Sequence, residues 1–266
     1  MDDSDATATL QVHGSGALVL VVEDNLVSQR VVTAMLTKLG HAVEVANHGR
    51  EAVECVQRRR PALVLMDCQM PVMDGFAATR AIREGEDDGS RLAIVAMTAF
   101  AMEGDRERCI AAGMDDYIAK PMAIDALAAL LGRWLAGTGA VVPATVEADM
   151  DADGPVSLAL LRELEDELGP EELGELLAVL RRQVPSTLAE MRGRVAAGDL
   201  HGLGRLAHGL CGAAGNLGAQ RLSRQLRAVE EACRTPGAQA PDEHAIAALE
   251  RSYAEADAFF RAQLRL

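Results

Sequence analysis

Between residues 17 and 136 a short apolar run rich in β-branched residues repeatedly gives way to a segment with helical spacing. The runs lie at 17–23, 42–46, 62–66, 93–97 and 115–119. Continuous apolar runs of this length belong to strands buried on both faces, not to strands with one wet side. The segments between them read as helices. One runs from a cap at Asn25 to Leu39, where Gly40 stops it, and the others lie at 50–58, 76–83, 103–112 and 124–135. Five strand–helix pairs in so short a span predict a parallel, doubly wound sheet with helices on both sides, an α/β fold of the flavodoxin-like kind. Aromatic residues are too few (4 Phe, 2 Tyr, 1 Trp) for an aromatic-rich β-sandwich.

Residues 1–16 read as a flexible tail, 17–136 as the α/β domain and 137–156 as a linker rich in Gly, Ala, Val, Pro and Asp. Strand signals are missing from 157–266, where apolar residues recur at helical spacing in 158–168, 173–195, 200–217, 222–233 and 246–264. The expectation is an all-α bundle of four or five helices. Pro185 should kink or split the second of them. The chain has 266 residues and a formal charge of −14, which argues against gripping nucleic acid or anionic lipid by bulk attraction. No apolar run approaches the roughly 18–20 residues of a membrane span, and the acidic start lacks the positive charge of a secretory signal. Five scattered cysteines without a CxxC fit reduced thiols, so a cytoplasmic protein is expected.

In an open parallel sheet, ligands bind beyond the carboxyl ends of the strands. Glu23 and Asp24 follow the first strand, Asp67 the third and Thr98 the fourth, and Lys120 lies just past the fifth. Taken singly, Asp24 reads as a helix cap and Lys120 as a solvated surface lysine. Taken together, converging carboxylates repel unless a cation joins them. A hard, oxygen-liganded ion such as Mg²⁺ meets that need, while Lys120 and the Thr98 hydroxyl suit phosphate oxygens. The run Leu65-Met66-Asp67-Cys68-Gln69-Met70-Pro71-Val72-Met73-Asp74-Gly75 resembles the phosphoacceptor segment of response-regulator receiver domains, as found in receivers attached to hybrid histidine kinases. Val22-Glu23-Asp24-Asn25, Met97-Thr98-Ala99 and Tyr117-Ile118-Ala119-Lys120-Pro121 are similar to that family's other signatures. The resemblance implies that Asp67 accepts a phosphoryl group. It also implies that Asp24, Asp67 and the Gln69 carbonyl ligate Mg²⁺, with Glu23 acting through water, and that Thr98 and Tyr117 form a switch pair. Asp74-Gly75 reads as a turn and Cys68 as a spectator.

Of six histidines, His13 falls in the tail, and His41, His48, His201 and His244 read as surface or helix-end residues. His208 stands within Leu206-Ala207-His208-Gly209-Leu210-Cys211-Gly212, and glycine recurs every third residue from 209 to 218. Each interior glycine costs a helix about 1 kcal/mol against alanine. The stripe therefore either clears room for a partner to reach the imidazole or serves close helix packing. The segment resembles the histidine phosphotransfer (HPt) motif, in which Ala207, His208, Leu210, Gly212, Asn216 and Gly218 fall in place, with a match over about 157–235. By that resemblance His208, exposed on the bundle, carries a phosphoryl group to or from a receiver aspartate, with neutral imidazole as the nucleophile. One departure is Cys211, where the family usually has lysine. No lysine follows Lys120, and Arg205, three residues before His208 on the same helix face, is the candidate substitute for the missing charge.

A receiver followed by an HPt domain implies a phosphorelay. Its partners would be an upstream sensor histidine kinase and a downstream receiver or response regulator, with no nucleic acid and no membrane insertion. A receiver-mediated dimer stays open. There is no Walker A sequence and no ATPase-like segment, so the expectation is a phosphotransfer intermediate rather than a kinase. Residues 151–266 carry 13 Arg and no Lys against 18 acidic residues, without a helix-turn-helix, which disfavours a DNA-binding bundle. Two other readings stay open: a phosphate sink or phosphorylation-switched interaction protein with a weakened HPt, and the C-terminal fragment of a hybrid sensor kinase. The start at Met1 favours a separate chain. A coil of about 20 residues spans roughly 25 Å, so the linker lets Asp67 and His208 meet within one chain without fixing their orientation.

Overall fold

The computed structural model describes residues 16–86, 91–98, 103–136, 154–235 and 237–264. The tail at 1–15 and most of the expected linker lie outside the described residues. Strands β1 (Leu18–Val22), β2 (Ala42–Ala46), β3 (Leu63–Asp67), β4 (Ala93–Thr98) and β5 (Asp116–Ala119) form one parallel sheet in the order β2-β1-β3-β4-β5. Alternate residues of each strand serve opposite faces. Val19, Val21, Leu63, Leu65, Val95 and Met97 pack on α1 (Leu26–Lys38) and α5 (Ile124–Leu135). Leu20, Val22, Val64, Met66, Ile94 and Ala96 pack on α2 (Gly49–Arg58), α3 (Gly75–Glu84) and α4 (Glu103–Ala111).

Local chemistry fixes the helix starts. The Asn25 side chain accepts from the Val27 and Ser28 amides, so Asn25 is the cap of α1, not Asp24. His48 caps α2, and Asp74 caps α3 through the Ala77 amide at 2.7 Å. Gly75 has no room for a side chain: a Cβ there would lie 2.0 Å from the Asp67 carbonyl oxygen. The α3 N-terminus is thereby held tight under the end of β3.

Helices α6 (Leu158–Leu168), α7 (Pro170–Ala197), α8 (Leu200–Asn216), α9 (Gln220–Arg234) and α10 (Glu243–Leu264) make the bundle. Of the two outcomes expected at Pro185, a kink or a split, the split does not occur: α7 runs through that residue as one helix. Proline has no N–H, which leaves the Arg181 carbonyl without its helical donor. The Tyr253 hydroxyl on α10 donates to that carbonyl at 3.2 Å. The Ser186 hydroxyl donates to the carbonyls of Gln183 and Arg182 in the same turn.

The two domains are docked. Helix α1 packs against α6, α7 and α8, and one apolar cluster continues from the α1–α5 face of the sheet into the bundle core. The glycine stripe shapes this contact. A Cβ at Gly212 would lie 3.5 Å from Ser28 Oγ, and one at Gly215 would meet Ser223 Oγ at 3.0 Å and Pro121 Cδ at 3.4 Å. Of the two roles open to the glycines, Gly215 serves close packing against α9 and the neighbouring domain, while at Gly212 a Cβ would reach ordinary contact with Ser28 and only a larger side chain would press on that domain.

Candidate functional site

Three strands deliver the acids to one rim. Glu23 and Asp24 leave the end of β1, Asp67 ends β3 and Thr98 ends β4, with Lys120 one residue beyond β5. One carboxylate oxygen from each of Glu23, Asp24 and Asp67 lies within 4.8 Å of the other two. Lys120 is no surface lysine: it is 4% exposed, and its Nζ bonds Asp67 Oδ2 at 2.9 Å and also reaches Glu23 Oε2. The Lys120 amide donates to the Thr98 carbonyl at 2.7 Å, which locks β5 to β4 beside the acids. Tyr117 is half-buried on β5, packed against the apolar cluster of the α2–α4 face.

Electrostatics follow from crowding and burial. Burial pushes the Glu23 carboxyl up to about 7 against the pull of Lys120. Burial and the neighbouring Asp67 also raise Asp24. Burial opposes charge on Asp67 too, but Lys120 and His208 outweigh it and hold this carboxyl well below the usual range. Lys120, although desolvated, is kept firmly protonated by Asp67 and Glu23. A compact set of hard oxygen donors with one buried ammonium beside it fits a small divalent cation such as Mg²⁺.

The bundle brings His208 to this rim. Its Nε2 lies 3.6 Å from Asp67 Oδ1, and its Nδ1 lies 3.1 Å from Glu230 Oε1 on α9. The imidazole expected on an open bundle surface is instead 6% exposed, because the α/β domain covers it. Its neighbours are carboxylates rather than an apolar lid. Burial pulls its pKa down, but the negative carboxylates of Asp67, 3.6 Å from Nε2, and of Glu230, which accepts from Nδ1, more than compensate and lift it to about 10. The docked, unphosphorylated chain thus favours imidazolium, where an unperturbed neutral ring was expected. Docking bonds surround the pair: Asn25 Nδ2 donates to the Gly209 carbonyl, Asn216 Nδ2 to Ser28 Oγ, and an Arg227 NH to the Lys120 carbonyl.

Glu230 escaped the sequence reading. The same Oε1 that meets His208 accepts from Gln69 Nε2 at 3.1 Å, so one oxygen ties the histidine to the residue two beyond Asp67. The available signal was its place in α9: an acid beside Leu226 and Val229 on the buried face of an amphipathic helix. Cys211 points away from the site, its Sγ 3.4 Å from both the carbonyl and the hydroxyl oxygen of Ser223. Arg205 is exposed and makes no side-chain hydrogen bond or ion pair among the described residues. It lines, with Asp24, His208 and Glu230, a cleft of about 720 Å³ between the domains.

Residues 19–132 match the family model for the response regulator receiver domain, and residues 175–259 match the model for the Hpt domain. The chain is a receiver domain followed by an Hpt domain. Among curated relatives, the aerobic respiration control sensor protein ArcB of Escherichia coli is 29% identical over 207 residues, covering 77% of this chain and 26% of that protein. Hybrid signal transduction histidine kinase B of Dictyostelium discoideum is 43% identical over 114 residues, covering 39% of this chain and 6% of its own length. This chain thus spans 6% to 26% of the length of these two relatives. A crystal structure of the receiver domain of sensor histidine kinase PA1611 from Pseudomonas aeruginosa, with magnesium in its active-site cleft, is 47% identical. It covers 46% of this chain and 99% of its own, at a TM-score of 0.43. The co-crystal structure of Saccharomyces cerevisiae Ypd1 with the receiver domain of Ssk1 is 28% identical, covering 49% and 96%, at a TM-score of 0.44. Among the described residues no helix is long and apolar enough to cross a membrane.

Proposed function

We propose that this chain passes a phosphoryl group between Asp67 and His208 within one molecule, as one station of a phosphorelay. The observation that carries the reading is the 3.6 Å approach of His208 Nε2 to Asp67 Oδ1, with Nδ1 anchored on Glu230. An upstream sensor histidine kinase would load Asp67, and a downstream receiver or response regulator would exchange phosphoryl with His208. Glu23, Asp24, Asp67 and the Gln69 carbonyl are the groups that would hold Mg²⁺. When bound, the ion neutralises charge on phosphoryl oxygens.

The chain's own residues do the rest. Nδ1–H stays on Glu230, and the Nε2 proton that faces the free Asp67 carboxylate leaves to water in the cleft once phosphorylation removes that carboxylate's charge, so the neutral ring presents its Nε2 lone pair to the phosphorus of phosphorylated Asp67. The N–P bond forms as the P–Oδ bond breaks, and the electron pair returns to the Asp67 carboxylate. Lys120 faces that carboxylate throughout, and Thr98 supplies a hydroxyl at the same rim. Such transfer needs alignment and charge neutralisation more than covalent help. Tyr117 is the ring proposed to move with Thr98.

The test is label transfer in the full chain, using ³²P-acetyl phosphate and Mg²⁺. Wild type should show base-labile label on Asp67 and base-stable label on His208. Asp67→Asn should lose both and His208→Gln only the second. Undiminished labelling of Asp67→Asn overturns the assignment.

A further inference from the structure

The contact between the domains is polar at its edge as well as apolar at its centre, and one of its edge charges is buried. The Glu167 side chain on α6 is 1% exposed, with Oε1 3.3 Å from Lys38 Nζ on α1. Its other oxygen, Oε2, is buried without a partner. The one cation paired with this carboxylate among the described residues therefore comes from the receiver domain. Glu163, one turn earlier, faces Glu167 and Asp125 as well as Lys38, which adds negative charge to the same corner. Further along the edge, Arg30 of α1 reaches Glu175 at 3.4 Å and Glu172 at 3.9 Å.

Exposed ion pairs contribute little, and the Arg30 pairs are of that kind. Lys38–Glu167 differs, because a buried carboxylate stripped of its counter-charge is strongly unfavourable. A receiver that presents a neutral or acidic group where Lys38 stands would bury Glu167 uncompensated. Hydrophobic contact alone cannot make that distinction, since apolar surface is non-directional.

We propose that the Lys38–Glu167 pair, flanked by Arg30 with Glu172 and Glu175, selects the chain's own receiver as the one that docks over His208, against receivers without a cation at that corner. This rests on the phosphorelay reading for its purpose but not for its test, which reads docking alone. In the full-length chain, the rate at which diethyl pyrocarbonate modifies His208 measures how often the domains part. Lys38→Glu should raise that rate about fivefold to tenfold. The charge swap Lys38→Glu with Glu167→Lys should restore protection. With Glu167→Gln, which keeps the shape and removes the charge, adding Lys38→Glu should raise the rate clearly less than it does in the wild-type background, the remainder coming from Glu163. An unchanged rate in Lys38→Glu, or no recovery in the swap, overturns the selection rule whatever the labelling experiment shows. Full protection of His208 combined with failure of Asp67 to label would leave the docking rule standing and sink the relay.

Discussion

Glu230 is 22 positions from His208 in sequence and 3.1 Å from its Nδ1 in space. Its role as the anchor of the ring makes a graded prediction. Glu230→Ala should slow Asp67-to-His208 transfer by about tenfold or more, as loss of a group that orients an imidazole commonly does. Glu230→Gln keeps an oxygen acceptor for Nδ1–H and should retain most of the rate. Single-turnover transfer in the full chain separates the two, and equal rates in both variants would remove Glu230 from the mechanism. The acids, Thr98 and Lys120 were legible in sequence because each sits within two residues of a strand end, where topology alone brings them together. Glu230 was not, since helical periodicity says which face is buried but not what that face will meet. The protonation of His208 was illegible for the same reason: both carboxylates that shift it come from distant segments.

At the scale of the element, α7 and α8 show how tertiary contacts rewrite local rules. The proline in α7 is tolerated because Tyr253 replaces the missing donor at the Arg181 carbonyl. Tyr253→Phe should therefore cost about 1 kcal/mol by denaturant unfolding, as a half-buried carbonyl loses its bond. In a Pro185→Ala background, where a backbone N–H returns, the same change should cost little, and equal costs in both backgrounds would refute the compensation. The boundaries of α7 and α8 were readable from Gly169-Pro170 and Gly198-Asp199, whereas Tyr253 lies 72 residues from its acceptor. In α8 the glycines were legible as cleared space, but their neighbour was not. Gly212→Leu should lower intramolecular transfer more than tenfold by pushing against Ser28. The bundle itself should be no less stable, because a helix-interior glycine is being replaced. Circular dichroism of the bundle alongside the transfer rate would check both halves.

At the scale of the whole molecule, composition and pattern gave two domains in the right order and of the right classes. Orientation depends on complementary surfaces such as Asn216 on Ser28, which no periodicity records. The shared apolar cluster makes its own prediction. Calorimetric unfolding of the full chain should be a single transition whose calorimetric and van't Hoff enthalpies agree. Two resolved transitions would show that the domains melt separately.

That continuous core also bears on how interchangeable these parts are. Receivers and HPt domains are often pictured as beads to be restrung. Here α1 packs on three helices of the neighbouring domain, so a chimera that imports a foreign receiver would exchange part of the surface on which the bundle packs. Swaps that carry residues 26–38 along with the bundle should behave better than swaps cut at the linker, and the practical seam of this molecule runs behind its first helix.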